Sequence, residues 1–335
     1  MNAAASRLLS LLLLAGLLLA GGCATEQPVD LEAVRAYPPA YESKNPETTR
    51  TEEVFRSEAD GKELGFVAHR GKGRRAIVYL HGISSHAGWF DHAADLLCAR
   101  GYDVFCLDRR GSGINRENRG FASGDVASAK VLFEDIHTFM KPLRDRYEEV
   151  FLCGLSWGGK LATGHALEHP EDMDGMILIT PGLRAGVDAG FWTKVRGFFA
   201  SVFQPRALLP IPIEPEMFTK TPRFLEWIRG DPLRLRAAST RFFLMSADLE
   251  EEIDRRIGEL EVPVLVFLAG RDVIVDNEGV KALLRQADGA EVDIITYEDQ
   301  THSIQFDAPE RLVEDIDRWI RSVVQAGSSR QDRSP

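Results

Sequence analysis

Short apolar runs separated by stretches of helical period constrain this chain more than any other feature. Residues 76–80, 104–107, 150–153, 176–180, 264–269 and 292–297 are bounded by turn formers and are rich in β-branched or aromatic side chains, which predicts strands. Between them, residues 89–100, 127–147, 157–169, 278–287 and 309–324 carry apolar side chains at helical spacing. Parallel neighbours need a long crossover, and a helix supplies it, so strand alternating with helix implies a largely parallel sheet covered on both faces. The predicted fold class is α/β.

The alternation breaks once, over 183–246. Phe191, Trp192, Phe198, Phe199, Phe203, Phe218, Phe224, Trp227, Phe242 and Phe243 crowd this interval, with several prolines. It is too apolar for a solvated loop and precedes a strand, so it reads as a helical cap over the carboxyl ends of the sheet strands. The expected core is then 51–182 together with 247–326, followed by a disordered tail at 327–335.

Chemistry concentrates where a strand meets a helix. The apolar run from Val150 leads into Gly154-Leu155-Ser156-Trp157-Gly158 and then at once into a helical stretch with Lys160 and Leu161. A serine on such a strand-to-helix turn is an exposed nucleophile, and glycines flank it because a Cβ there would meet the neighbouring strand and helix. An earlier strand ends in His81-Gly82-Ile83, where backbone N–H groups can point at a developing oxyanion.

The segments LHGISSHAGWF, LDRRGSG, GLSWGG, GDPL, LAGRDVIVD and EDQTHSI, spread between Glu63 and Arg321, resemble the α/β-hydrolase superfamily. The resemblance is narrower to its monoglyceride-lipase, lysophospholipase-like and serine aminopeptidase S33-type branch. It implies an α/β-hydrolase fold, with a mostly parallel central sheet, helices on both faces and a helical cap inserted before the penultimate strand. It further implies Ser156 as nucleophile, His302 as general base, Asp272 as the acid that orients it, and the backbone N–H groups of Ile83 and Trp157 as the oxyanion hole. The chain order serine, acid, histidine agrees with this fold. Asp276, on the same loop as Asp272, is the competing acid and resembles the start of the next helix. His81 is expected to shape the oxyanion loop, and Asp108, Arg109 and Arg110 to turn the chain after a strand. Hydrolysis through an acyl-enzyme requires no metal or organic cofactor. The expected substrates are carboxylic esters, lipid-like ones such as monoacylglycerols or lysophospholipids first. The same triad also serves acyltransferases, thioesterases and peptidases, and a non-catalytic lipid-binding envelope protein is the third reading.

The net charge of −11, with Lys and Arg scattered, argues against a nucleic-acid partner. His86 and His92 follow too irregularly for a metal set, while His137, His165 and His169 sit on predicted helices. Residues 1–22, with Arg7 before the apolar run 8–19, read as a secretory signal. Ala20-Gly21-Gly22-Cys23 resembles the lipobox of bacterial lipoproteins, which implies lipidation of Cys23, a membrane partner through that anchor and, with Ala24 next, an outer-membrane placement facing the periplasm. An ordinary signal peptide and secretion are the alternative. Residues 23–50, with Pro28, Pro38, Pro39 and Pro46, read as a tether. The remaining cysteines, Cys98, Cys106 and Cys153, are expected as free core thiols, with a Cys98–Cys106 bridge as the alternative. The oligomeric state is not legible.

Overall fold

Strands β1 (Thr49–Arg56), β2 (Glu63–Arg70), β3 (Arg75–Leu80), β4 (Tyr102–Leu107), β5 (Glu149–Leu155), β6 (Gly175–Ile179), β9 (Val264–Ala269) and β10 (Val292–Tyr297) form one sheet, in the order β1-β2-β4-β3-β5-β6-β9-β10. β2 is antiparallel to β1 and β4, and every other pairing in the sheet is parallel. This computed structural model describes residues 34, 37–43, 45–115, 124–126, 128–186 and 205–331. The segment 1–22, Cys23 and the cap aromatics Phe191, Trp192, Phe198, Phe199 and Phe203 lie outside the described residues.

The helices are α1 (Asp91–Cys98), α2 (Ala129–Arg146), α3 (Trp157–Glu168), α4 (Pro215–Phe218), α5 (Pro222–Gly230), α6 (Thr240–Arg256), α7 (Asn277–Leu284), α8 (Ile304–Asp307) and α9 (Pro309–Gln331). Successive side chains of the central strands enter different cores. Val78, Leu80, Leu152, Leu178, Val266 and Leu268 face one core, together with residues of α2, α3, α6 and α7. Ile77, Tyr79, Cys153, Ile177, Leu265 and Phe267 face the other, with residues of α1 and α9. Both faces are therefore buried, which is why these strands read as unbroken apolar runs. Burying one side chain such as Phe267 completely contributes about 1.5–3 kcal/mol.

Between β6 and β9 lies the cap, a helical insertion as expected. It also contains a short antiparallel pair, β7 (Leu208–Pro210) with β8 (Ala237–Ser239), and α6 runs through residue 246 without a break. The last helix continues to Gln331, into the stretch expected to be a disordered tail.

The segment expected as a tether is docked from residue 37 onward. Tyr37 donates to the Trp227 carbonyl at 2.6 Å, and Trp227 Nε1 donates to the Pro38 carbonyl at 2.8 Å. Tyr41 stacks on His92 with ring centroids 3.9 Å apart, and Ser43 donates to Asp95 at 2.6 Å. Tyr37 and Tyr41 are half-buried against α5 and α1, while Pro38 and Pro39 between them are exposed. Cys98, Cys106 and Cys153 are free and buried. Burial pushes their thiols up, Cys98 to about 12, so they pack as small apolar groups.

Candidate active site

Ser156 sits at the junction of β5 and α3 with φ +54° and ψ −120°, a conformation that side-chain-bearing residues rarely adopt. A Cβ on Gly154 would stand 2.5 Å from the Gly158 carbonyl oxygen, and one on Gly158 would overlap the carbonyl of Leu80. The flanking glycines thus allow the turn to nest between helix α3 and strand β3. The serine N–H donates to Ile179 at 3.0 Å, and the Gly182 N–H donates to the serine carbonyl at 2.7 Å. These bonds tie the strained turn to the end of β6.

Asp272 and His302 follow the ends of β9 and β10. His302 Nδ1 donates to Asp272 Oδ2 at 2.8 Å, and neither side chain is exposed. The other Asp272 oxygen accepts from the Ile274 and Val275 N–H groups at 2.8 and 3.1 Å. A proton on Nδ1 leaves Nε2 as the basic nitrogen. Nε2 is buried and has no hydrogen-bond partner among the described residues. Ser156 and His302 are not hydrogen-bonded, but both hang from the end of β6, where Thr180 donates its hydroxyl to the His302 carbonyl at 3.0 Å. Such catalytic contacts often tighten only when substrate binds. Asp276 instead caps α7, accepting from the Gly279 N–H at 3.1 Å.

The loop after β3 passes directly over the serine: a Cβ on Gly82 would stand 3.2 Å from the Ser156 Cβ. Its orientation is set from behind. His81 Nδ1 and Arg109 Nη1 each lie 2.8 Å from the Gly82 carbonyl oxygen. Arg109 Nη2 donates to the Ile83 carbonyl at 2.6 Å. In a trans peptide the C=O and the following N–H point in opposite directions. Anchoring the Gly82 oxygen therefore fixes the direction of the Ile83 N–H. Burial and the Arg109 charge hold His81 well below the usual histidine range, so it is a neutral hydrogen-bonding group. Burial pushes the Arg109 guanidinium down, to about 9, and Asp108 opposes the fall. Arg109 also lies over the Trp157 ring at 5.0 Å and the Phe242 ring at 5.5 Å. In the sequence Arg109 reads as part of a turn after a strand, with substrate contact as the alternative. The available signal was an arginine directly after a strand with no residue nearby in sequence, other than Asp108, to balance a buried charge.

The cap is fastened to the loop after β3 and to the loop that carries His302. Phe218 accepts through its carbonyl from the Ser303 N–H at 2.8 Å and the Thr301 hydroxyl at 3.1 Å, with its ring 5.9 Å from that of His302. Asp231, just after α5, accepts from His86 Nε2 at 3.1 Å, Trp89 Nε1 at 2.8 Å and the Leu233 N–H at 2.9 Å. Trp157 Nε1 donates to Ser246 on α6 at 2.8 Å.

A family model described as serine aminopeptidase, S33 matches residues 71–309. Monoglyceride lipase of Rattus norvegicus is 24% identical over 263 residues, covering 76% of this chain and 86% of that protein. Among solved structures, a soluble variant of monoglyceride lipase from Saccharomyces cerevisiae in complex with a substrate analogue superposes with a TM-score of 0.72 at 18% identity, over 86% of this chain and 98% of that one. A thermostable carboxyl esterase from Bacillus coagulans in complex with glycerol gives 0.66 at 18% identity, over 82% and 99%. At these identities the solved structures speak for the fold.

These likenesses correct the placement expected from the first residues, a lipid-anchored envelope protein facing the periplasm. Over most of its length the chain matches a globular esterase fold, with its apolar side chains turned into two internal cores. No described helix is long and apolar enough to cross a membrane. The anchored placement rested on the apolar run 8–19 and Cys23, which lie outside the described residues, and it is withdrawn.

Proposed function

The chain belongs to the serine aminopeptidase S33 family and is a serine hydrolase of carboxylic esters, and on that premise we propose that Ser156, His302 and Asp272 form its catalytic triad and that it acts on lipid-like esters, monoacylglycerols or lysophospholipids. The observation that carries the triad is the fully buried 2.8 Å bond from His302 Nδ1 to Asp272, at neighbouring strand ends beside the strained Ser156 turn.

His302 Nε2 takes the hydroxyl proton as Ser156 Oγ attacks the ester carbonyl carbon, and Asp272 stabilises the imidazolium that forms. The carbonyl oxygen becomes an oxyanion, which accepts hydrogen bonds from the Ile83 and Trp157 N–H groups. The latter begins α3, where the positive end of the helix dipole adds to the effect. Collapse of the intermediate expels the alcohol, which receives the proton from His302 and leaves an acyl-serine. Water, deprotonated by the same nitrogen, then attacks the acyl-serine and releases the acid.

The lipid reading rests on the relative named monoglyceride lipase and on the aromatic cap. It is tested with p-nitrophenyl esters of increasing acyl length, then monoacylglycerols and lysophospholipids, against wild type and Ser156→Ala. A preference for medium or long acyl chains that disappears in Ser156→Ala is the expected result. Equal turnover by both proteins would defeat the triad. Faster cleavage of aminoacyl p-nitroanilides would replace the lipid esters with peptides, as the family description allows.

A further inference from the structure

The geometry points to a divalent transition-metal site built from His137, His169 and Glu171, at the end of α3 remote from Ser156. One ligand atom from each of the three residues lies within 4.8 Å of the others. Helix α3 starts next to Ser156 and ends at Glu168, so roughly 18 Å of helix separates the cluster from the nucleophile. It plays no part in the proposed chemistry.

Two stretches of backbone, helix α2 and the end of α3 with the turn that follows it, bring the donors together. His137 lies on α2, His169 is the C-cap of α3, and Glu171 stands in the turn Pro170–Asp172. The His137 and His169 rings stack at 4.4 Å with 24° between their planes. His169 Nδ1 lies 3.2 Å from Glu171 Oε1.

Beneath the donors lies a buried support. The Asp172 carboxylate is 3.0 Å from His165 Nε2 and 2.9 Å from His137 Nδ1, and His165 is fully buried. A carboxylate that accepts a hydrogen bond from Nδ1–H of His137 leaves its Nε2 with the lone pair. It also fixes the ring, as the outer shell of a metal site does for its histidine ligands. His169 follows the last turn of α3, where the negative end of the helix dipole favours a cation.

Two imidazoles and one carboxylate, with no thiolate, suit zinc, nickel or copper rather than magnesium or calcium. Bonds of about 2.0–2.1 Å in tetrahedral geometry need donors about 3.3 Å apart. The present spacing closes to that by rotation of Glu171, whose side chain is 63% exposed, and of His169 at the helix end. Three protein ligands leave the fourth position to water. The buried cysteines do not compete.

The test uses the full chain without a polyhistidine tag, stripped with EDTA and titrated calorimetrically with ZnCl2 at neutral pH. One zinc per chain is expected, and no heat from MgCl2. Cobalt(II) should give the visible spectrum of a four-coordinate ion. Asp172→Asn should weaken zinc about 10–100-fold, and the double variant His137→Ala/His169→Ala at least as much. Zinc should raise the melting temperature of wild type and leave that of the double variant unchanged. Circular dichroism establishes that the double variant is folded, and Glu171→Gln, at the surface, provides a second variant whose zinc affinity should fall. Wild type that takes up no zinc with a Kd below roughly 100 μM, or folded variants that bind it unchanged, would overturn the site. None of these readouts depends on esterase turnover.

Discussion

Arg109 donates to the carbonyl of Ile83 at 2.6 Å, so the residue proposed to stabilise the oxyanion is held through its own oxygen by a buried guanidinium. A second bond, 2.8 Å from Nη1 to the Gly82 oxygen, fixes the peptide that carries the Ile83 N–H. Lysine keeps the charge but cannot bond both oxygens in one plane. Arg109→Lys is therefore expected to lower kcat about 10–100-fold with KM nearly unchanged, short of the 10²–10³-fold typical of losing an oxyanion donor outright. Steady-state kinetics on a short p-nitrophenyl ester, normalised to folded protein, checks it. A fall in melting temperature with unaltered kcat would reduce Arg109 to a structural group.

The choice between Asp272 and Asp276 yields a paired prediction. Asp272 holds the Nδ1 side of His302, and its second oxygen is occupied by two backbone N–H groups, whereas Asp276 caps a helix. Asp272→Asn should lower kcat about 10⁴-fold by favouring the wrong histidine tautomer. Asp276→Asn, which retains a capping oxygen, should cost no more than a few tenths of a kcal/mol of stability and leave kcat within twofold. Comparable losses in both variants would contradict the assignment of the acid.

The central parallel strands were legible because both of their faces are buried; β10, an edge strand with Asp293 and Ile294 exposed, was legible from its β-branched residues, and for β9 and β10 even the ends agree with the apolar runs. The β1–β2 hairpin was not. β1 is an edge strand with alternate residues exposed, Val54 among them at 65%, so its sequence TRTEEVFR looks polar. Its turn signal was present in Asp60-Gly61, with Gly61 at φ +71°. The residues proposed as the triad share one sequence signal, each following a strand end in the order serine, acid, histidine. Arg109 and the His137–His169 cluster were not, because their partners are distant in sequence or belong to different helices. The pair His165 and His169, four apart on one helix, was the available hint.

Asp231 fastens the cap with a pH signature. Burial raises its carboxyl, but the His86 charge and the donors on His86, Trp89 and Leu233 prevail and hold it below the usual carboxylate range. Asp231 is then ionised in the fold at a pH where the unfolded chain would bind a proton. Its contribution to stability is complete above the unfolded value, about 3.9, and is lost as pH falls through the lower folded value. Asp231→Asn should cost about 1–3 kcal/mol near neutrality. The gap to wild type should close below about pH 4 as Asp231 binds a proton, and should narrow again as pH rises above about 6.5, where His86, raised by Asp231, gives up its charge. Urea unfolding across that range measures it. A gap that widened below about pH 4 would reverse the sign of the Asp231 shift.

The strain at Ser156 separates the nucleophile's energetic cost from its chemistry. At φ +54° and ψ −120° a Cβ is disfavoured by roughly 1–3 kcal/mol, while glycine occupies such conformations freely. Ser156→Ala removes the hydroxyl and keeps the Cβ, whereas Ser156→Gly removes both. Glycine gives back part of the gain because it adds freedom to the unfolded chain, worth about 0.4–1 kcal/mol. The expected order of stability is Ser156→Gly above Ser156→Ala by about 1 kcal/mol. Both variants should fail to label with a fluorophosphonate probe. Thermal unfolding and probe labelling together decide the matter. If the alanine variant is the more stable, the turn holds no strain, and its backbone geometry is then no argument for a site at which stability has been given up for function.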